Sequence, residues 1–104
     1  MKKLFFYIFL LLNPIIGKAQ TPTILIFGDS LSAGYGIDID QAWPTLLETR
    51  LASKNLNYQV VNASISGETT EGGLTRIDSA LNKYSPKLII LELGGNDGLR
   101  GFPP

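Results

Sequence analysis

Apolar residues along this chain fall into two alternating kinds of pattern. The first kind is the dense run, and there are three: Ile24-Leu25-Ile26-Phe27, Tyr58-Gln59-Val60-Val61-Asn62-Ala63 and Leu88-Ile89-Ile90-Leu91-Glu92-Leu93. Runs this short, rich in β-branched and aromatic residues, predict strands, and those that are apolar throughout predict strands buried on both faces. The second kind is the helical stripe. Trp43, Leu46, Leu47 and Leu51 recur at i, i+3, i+4 and i+8, and Leu74, Ile77, Leu81 and Tyr84 form a second series. Pro44 is tolerated only in a first turn, so the first helix is expected to begin around Gln41 to Pro44 and to end near Ser53-Lys54-Asn55. Thr69 or Thr70 is the expected N-cap of the second helix, and Ser85-Pro86 its stop. The segment from Ser32 to Asp40, with two glycines and two aspartates, reads as a loop.

The resulting order is β-α-β-α-β, an α/β pattern of parallel strands joined by right-handed crossovers. The first and third runs are the most apolar and belong in the interior, whereas the second is more polar and suits an edge. A strand order of 2-1-3 meets both demands and places the topological switch point between strands one and three. Each strand ends in a polar turn: Gly28-Asp29-Ser30, Ser64-Ile65-Ser66-Gly67-Glu68-Thr69-Thr70 and Gly94-Gly95-Asn96-Asp97-Gly98. Parallel strands bring all three turns to one edge, with Ser30 and Asn96 facing each other across the crevice and Gly67 close by. In open α/β sheets that edge is where ligands bind.

Charge changes the picture at the N-terminus. Nine basic and nine acidic residues balance over 104 residues, but Lys2, Lys3 and Lys18 all lie in the first 18. The remainder has six basic against nine acidic residues, a net −3, which argues against a nucleic-acid surface. Lys2-Lys3, the apolar run Leu4 to Leu12, the breaker Asn13-Pro14 and the small residues of Gly17-Lys18-Ala19 read as an export signal peptide over residues 1–19. The apolar run falls short of the ~20 residues of a spanning helix, so no stable membrane anchor is expected after cleavage. That places the domain, residues 20–104, in the periplasm or the medium. With no cysteine there is no lipobox, disulfide, thiolate metal site or thiol nucleophile.

Ser30 sits at a strand-to-loop turn where a hydroxyl can be exposed, and is the candidate nucleophile. Gly67 can offer an unobstructed backbone N–H, and Asn96 a neutral side-chain donor, as an acyl-transfer oxyanion requires. Each also has a plain explanation, since Gly-Asp-Ser and Asn-Asp-Gly are good turn sequences and Gly67 suits a positive φ. Asp29 is expected to brace its turn. A flavodoxin-like nucleotide binder fits less well, because Asp29 puts an acidic side chain where phosphate would need backbone donors.

Three ordered blocks, Gly28 to Tyr35, Asn62 to Thr69 and Leu93 to Phe102, resemble the first three blocks of the SGNH (GDSL-type) hydrolases, and within them the thioesterase I / lysophospholipase branch. The resemblance runs from about Thr23 to the last residue. It implies a three-layer flavodoxin-like fold of which this is the N-terminal part. It further implies Ser30 as nucleophile, with the Ser30 N–H, the Gly67 N–H and the Asn96 side chain as oxyanion hole. The implied substrates are small-molecule acyl esters or thioesters, including arylesters, lysophospholipids and acyl-CoA, cleaved through an acyl-enzyme without metal or cofactor.

The chain departs from that family in its base. The family's fourth block, an Asp-x-x-His pair, orients and supplies the proton acceptor, and no histidine occurs anywhere in these 104 residues. Lys54, Lys83 and Lys87 are expected on solvent-facing surfaces, and an ordinary carboxylate such as Asp29 or Asp97 is a weak base for serine. Strand three would also lie at an open edge despite its buried-strand composition, an aggregation hazard that a further strand would remove. The expectation is an N-terminal portion of an exported hydrolase, inactive and poorly soluble alone. A carbohydrate-ester deacetylase shares the three blocks, and a non-catalytic binding domain would lack the base.

Overall fold

The computed structural model describes residues 20–104. The predicted signal peptide, residues 1–19, lies outside the described residues. Among the described residues no helix is long and apolar enough to cross a membrane.

Three parallel strands, β1 (Thr23–Gly28), β2 (Gln59–Asn62) and β3 (Leu88–Glu92), form one sheet in the order β2-β1-β3. This is the order expected from the relative polarity of the three runs. Ile24 pairs with Val60 on one side and Leu88 on the other, so the whole apolar part of β1 is central. Leu25, Ile26 and Phe27 are at most 1% exposed. Burying each such side chain contributes about 1.5–3 kcal/mol, which makes β1 the anchor of the fold.

Successive side chains of a strand point to opposite faces. Leu25 and Phe27 pack with Val61, Ala63, Leu93 and three residues of α3 (Thr70–Tyr84): Ile77, Ala80 and Tyr84. Ile24 and Ile26 face the other way, toward the side of α2 (Trp43–Ser53). Glu48 of α2 accepts the Val60 N–H on that side at 2.6 Å. Right-handed crossovers that first step outward to β2 and then back past β1 to β3 put their helices on opposite faces. The result is an α/β/α layering.

Both helices start close to where the pattern places them. Pro44 occupies the first turn of α2, and the Thr69 hydroxyl caps α3 by accepting the Gly72 N–H. The buried face of α3, however, is Gly73, Ile77, Ala80 and Tyr84 rather than the predicted Leu74, Ile77, Leu81 and Tyr84. Leu74 is 76% exposed. The cause is close approach: a Cβ at Gly73 would lie 2.7 Å from Leu93 Cδ1 and 3.3 Å from the Phe27 ring. The small residues let the helix rest on the sheet, turning Leu74 and Leu81 toward the flank. Leu46 of the α2 stripe is likewise exposed, while Trp43, Leu47 and Leu51 are half-buried.

Two predicted turns contain helix. The Gly28-Asp29-Ser30 turn runs into a one-turn helix, α1 (Ser30–Ala33), that takes up the start of the expected Ser32–Asp40 loop, and a 3₁₀ turn, Ile39–Gln41, forms at that loop's end. The Asp29 carboxylate caps α1 by accepting the Leu31 N–H at 3.0 Å, and Gly34 ends it at φ +81°. The third polar turn folds into α4 (Gly95–Leu99). β3 pairs with β1 on one side and with no strand among the described residues on its outer side, where Leu88, Ile89 and Leu91 are exposed, although the apolar composition of this run placed it in the interior.

Candidate active site

The three strand ends meet as their parallel register requires. Gly28 pairs with Glu92, and the chain leaving β2 stays bound to the end of β1. Gly28 donates its N–H to Ser64 Oγ at 3.1 Å and accepts the Ile65 N–H at 3.0 Å. The Ser64–Thr69 turn is thereby fixed beside the segment that carries Ser30.

Ser30 is the first residue of α1 and is half-buried. Its carbonyl accepts the N–H groups of Gly34 and Tyr35, both at 3.2 Å. Its own N–H belongs to a first helical turn, where intrahelical acceptors are missing. Neither that N–H nor the Gly67 N–H is committed to an acceptor among the described residues. Gly67 is exposed at φ +82°, with no atom within 4 Å of where a Cβ would stand.

Asn96, on α4, reaches the same turn. Its Nδ2 donates to the Glu68 carbonyl at 2.9 Å. An amide nitrogen carries two hydrogens, so this bond orients the group and leaves one donor for another acceptor. Arg100 Nη2 donates to the Gly67 carbonyl at 3.3 Å, and Asp97 accepts both the backbone N–H and the hydroxyl of Thr70. Asn96 and the Gly67 turn are therefore held together directly. Ser30 joins them through its neighbours: a Cβ on Gly95 would lie 3.8 Å from Asp29 Oδ2.

The Thr70 hydroxyl, and then the Thr70 N–H, hold the Asp97 carboxyl below the usual aspartate value. Asp29 is 3% exposed and serves as a helix cap, the bracing role expected for it. Lys54, Lys83 and Lys87 are exposed, as expected. Among the described residues no group of three or more His, Cys, Asp or Glu could hold a metal ion.

Sequence reasoning missed two supports of this edge. Arg76 pairs with Glu68, donates to the Ala63 carbonyl at 2.8 Å and stacks 4.0 Å over the Phe27 ring centroid. It thus ties the Gly67 turn to the core. Glu92 was absorbed into an apolar run, yet its carboxylate accepts from Ser32 Oγ at 2.7 Å and from the Asp29 N–H at 3.3 Å. A lone acidic residue ending a buried strand was the available signal.

Comparison with known proteins bears on the same segments. Residues 26–104 match the GDSL-like Lipase/Acylhydrolase family. The chain is 52% identical over 87 residues to Esterase TesA of Pseudomonas aeruginosa, an alignment covering 84% of this chain and 43% of that protein. It is also 52% identical to the Thioesterase 1/protease 1/lysophospholipase L1 of Escherichia coli K12, covering 83% of this chain and 40% of the relative. A crystal structure of TesA superposes with a TM-score of 0.77 at 54% identity, covering 79% of this chain and 46% of that one. The crystal structure of AlinE4, an SGNH-hydrolase family esterase, matches with a TM-score of 0.77 at 48% identity, covering 85% and 48%. This chain thus spans 40–43% of the length of these curated relatives.

Proposed function

Because the chain belongs to the GDSL-like lipase/acylhydrolase family, we propose that it carries the nucleophile and oxyanion-binding half of an exported serine esterase or thioesterase. Ser30 Oγ, its proton taken by the base, attacks the acyl carbon of a small-molecule ester or thioester. The alcohol or thiol leaves as the acyl-enzyme forms, and water then hydrolyses the acyl-enzyme to the carboxylic acid and free Ser30. The Ser30 N–H, the Gly67 N–H and the Asn96 amide receive the negative charge that develops on the carbonyl oxygen.

The observation that carries this reading is the convergence of three unspent donors at one sheet edge. Two are backbone N–H groups without acceptors among the described residues. The third is a side-chain amide held by Glu68 with a hydrogen to spare. Donors fixed in advance need no reorganisation as charge forms, and removing one such donor typically costs about 10²–10³ in kcat.

Relatives named esterase, arylesterase and lysophospholipase support acyl esters as the substrate class. The proton acceptor for Ser30 is not a histidine of these 104 residues, since they contain none. We assign it to a segment outside them, in keeping with their share of the relatives' length, and export to the basic, apolar N-terminal pattern of residues 1–19.

The test is hydrolysis of p-nitrophenyl esters by the 104-residue chain and by the full-length polypeptide that continues it. The expected result is no turnover above buffer for the first and turnover abolished by Ser30→Ala for the second. Turnover by the 104-residue chain that is lost in Ser30→Ala would contradict the outside base. Turnover by the longer polypeptide that survives Ser30→Ala would contradict the nucleophile.

A further inference from the structure

We propose that Glu92 is a positioning residue for Ser30, holding the turn that carries the nucleophile from beneath through a single carboxylate oxygen. The inference rests on Ser30 as nucleophile and adds a group that makes no contact with substrate.

Glu92 ends β3 opposite Gly28, and the space above Gly28 is where its carboxylate lies. A Cβ built on Gly28 would stand 2.7 Å from Glu92 Oε1, 2.8 Å from the Glu92 carbonyl oxygen and 2.8 Å from Ser32 Oγ. Gly28 is thus needed for the room it leaves. Oε1 accepts the Ser32 hydroxyl at 2.7 Å and, at a longer 3.3 Å, the Asp29 N–H. These donors flank Ser30, one residue before it and two after.

The network is anchored on two further sides. Ser32, fully buried, accepts the Trp43 indole N–H at 3.2 Å on its Oγ, and its carbonyl accepts Asn62 Nδ2 at 2.8 Å. Trp43 comes from α2, Asn62 from β2 and Glu92 from β3, so three elements fix α1 through one buried serine. The Ser30 peptide therefore keeps its direction without any hydrogen bond to the Ser30 side chain among the described residues, which leaves the hydroxyl free to react. A misplacement of about 1 Å at a reacting group can cost 10²-fold in rate.

The experiment measures kcat and KM for a p-nitrophenyl ester in the full-length polypeptide carrying Glu92→Ala, Glu92→Gln, Ser32→Ala or Ser30→Ala. Glu92→Ala and Ser32→Ala are expected to lower kcat by about tenfold or more, with KM within about threefold. Glu92→Gln keeps an oxygen acceptor and is expected to stay within about threefold of the parent in both constants. Trp43 supplies a second readout, because its indole N–H resonance, assigned with a Trp43→Phe variant, reports the Ser32 hydroxyl directly. That resonance should move in Glu92→Ala and hold in Glu92→Gln. Should Glu92→Ala not fold, Ser32→Ala carries the same kinetic expectation. An unchanged kcat in the variants lacking the bond, or a Glu92→Gln that falls as far as Glu92→Ala, overturns the proposal. Turnover retained in Ser30→Ala strikes the nucleophile reading instead, and the Trp43 resonance reads the Glu92 network independently of it.

Discussion

The Asn96 side-chain nitrogen lies 2.9 Å from the Glu68 carbonyl oxygen, so the amide is oriented before any substrate arrives. In Asn96→Ala the Glu68 carbonyl loses its partner and, on the proposed reading, the oxyanion loses a donor. The expected outcome is a fall in kcat of about 10²–10³ in the full-length polypeptide, with KM nearly unchanged. Steady-state ester hydrolysis measures it. A rise in KM at constant kcat would assign Asn96 to ground-state binding instead.

Two glycines separate backbone demand from spatial demand. Gly67 has φ +82° and open space around it, so Gly67→Ala should cost only the left-handed penalty of about 1–2 kcal/mol. Gly28→Ala drives a methyl against the Glu92 carboxylate and main-chain oxygen, and should cost more than Gly67→Ala, about 1–3 kcal/mol or above. Urea denaturation midpoints of the two variants give the comparison.

Asp97 makes the junction between α4 and the Gly67 turn sensitive to acid. Its folded carboxyl value is depressed below the unfolded one, first by the Thr70 hydroxyl and then by the Thr70 N–H. A depressed acid contributes stability that is fully present above the unfolded value, about 4, and is lost as pH falls through the folded value. The melting temperature of the parent should therefore exceed that of Asp97→Asn between pH 5 and 7. The gap should close as pH drops below about 4. A gap independent of pH would show that the charge of Asp97 is not what Thr70 stabilises.

The open side of β3 exposes Leu88, Ile89 and Leu91 on a strand with an unpaired edge. Leu74 and Leu91 also line an open groove of about 240 Å³ with Phe27, Gly73, Ile77 and Leu93. Free apolar edges invite pairing with other chains, and charged residues blunt them. The 104-residue chain should self-associate at micromolar concentration, and Leu91→Lys should raise the monomer fraction. Sedimentation velocity would show it.

The sheet order was legible because the polar second run lies at the edge and the apolar β1 at the centre. The equally apolar third run, expected in the interior, instead forms an edge with Leu88, Ile89 and Leu91 exposed, because no strand among the described residues pairs with its outer side. The register of the α3 face was not legible. Leu74 and Leu81 match a helical stripe as well as Gly73 and Ala80 do, and only the proximity of Phe27 and Leu93 selects the small residues. The α1 helix was missed because one turn carries too few residues for periodicity, and its cap, Asp29, looked like part of a turn. The proposed site residues Ser30, Gly67 and Asn96 stood out as polar punctuation at strand ends. Glu92 and Arg76 did not, since their partners are 60 and 13 residues away in sequence.

The most direct measurement for Ser30 is the site of covalent capture. The full-length polypeptide is treated with a fluorophosphonate, digested and mapped by mass spectrometry. The expected adduct lies on Ser30, at one per chain, and is absent in Ser30→Ala. An adduct on any other residue, or labelling that persists in Ser30→Ala, would contradict the assignment of Ser30 as the nucleophile.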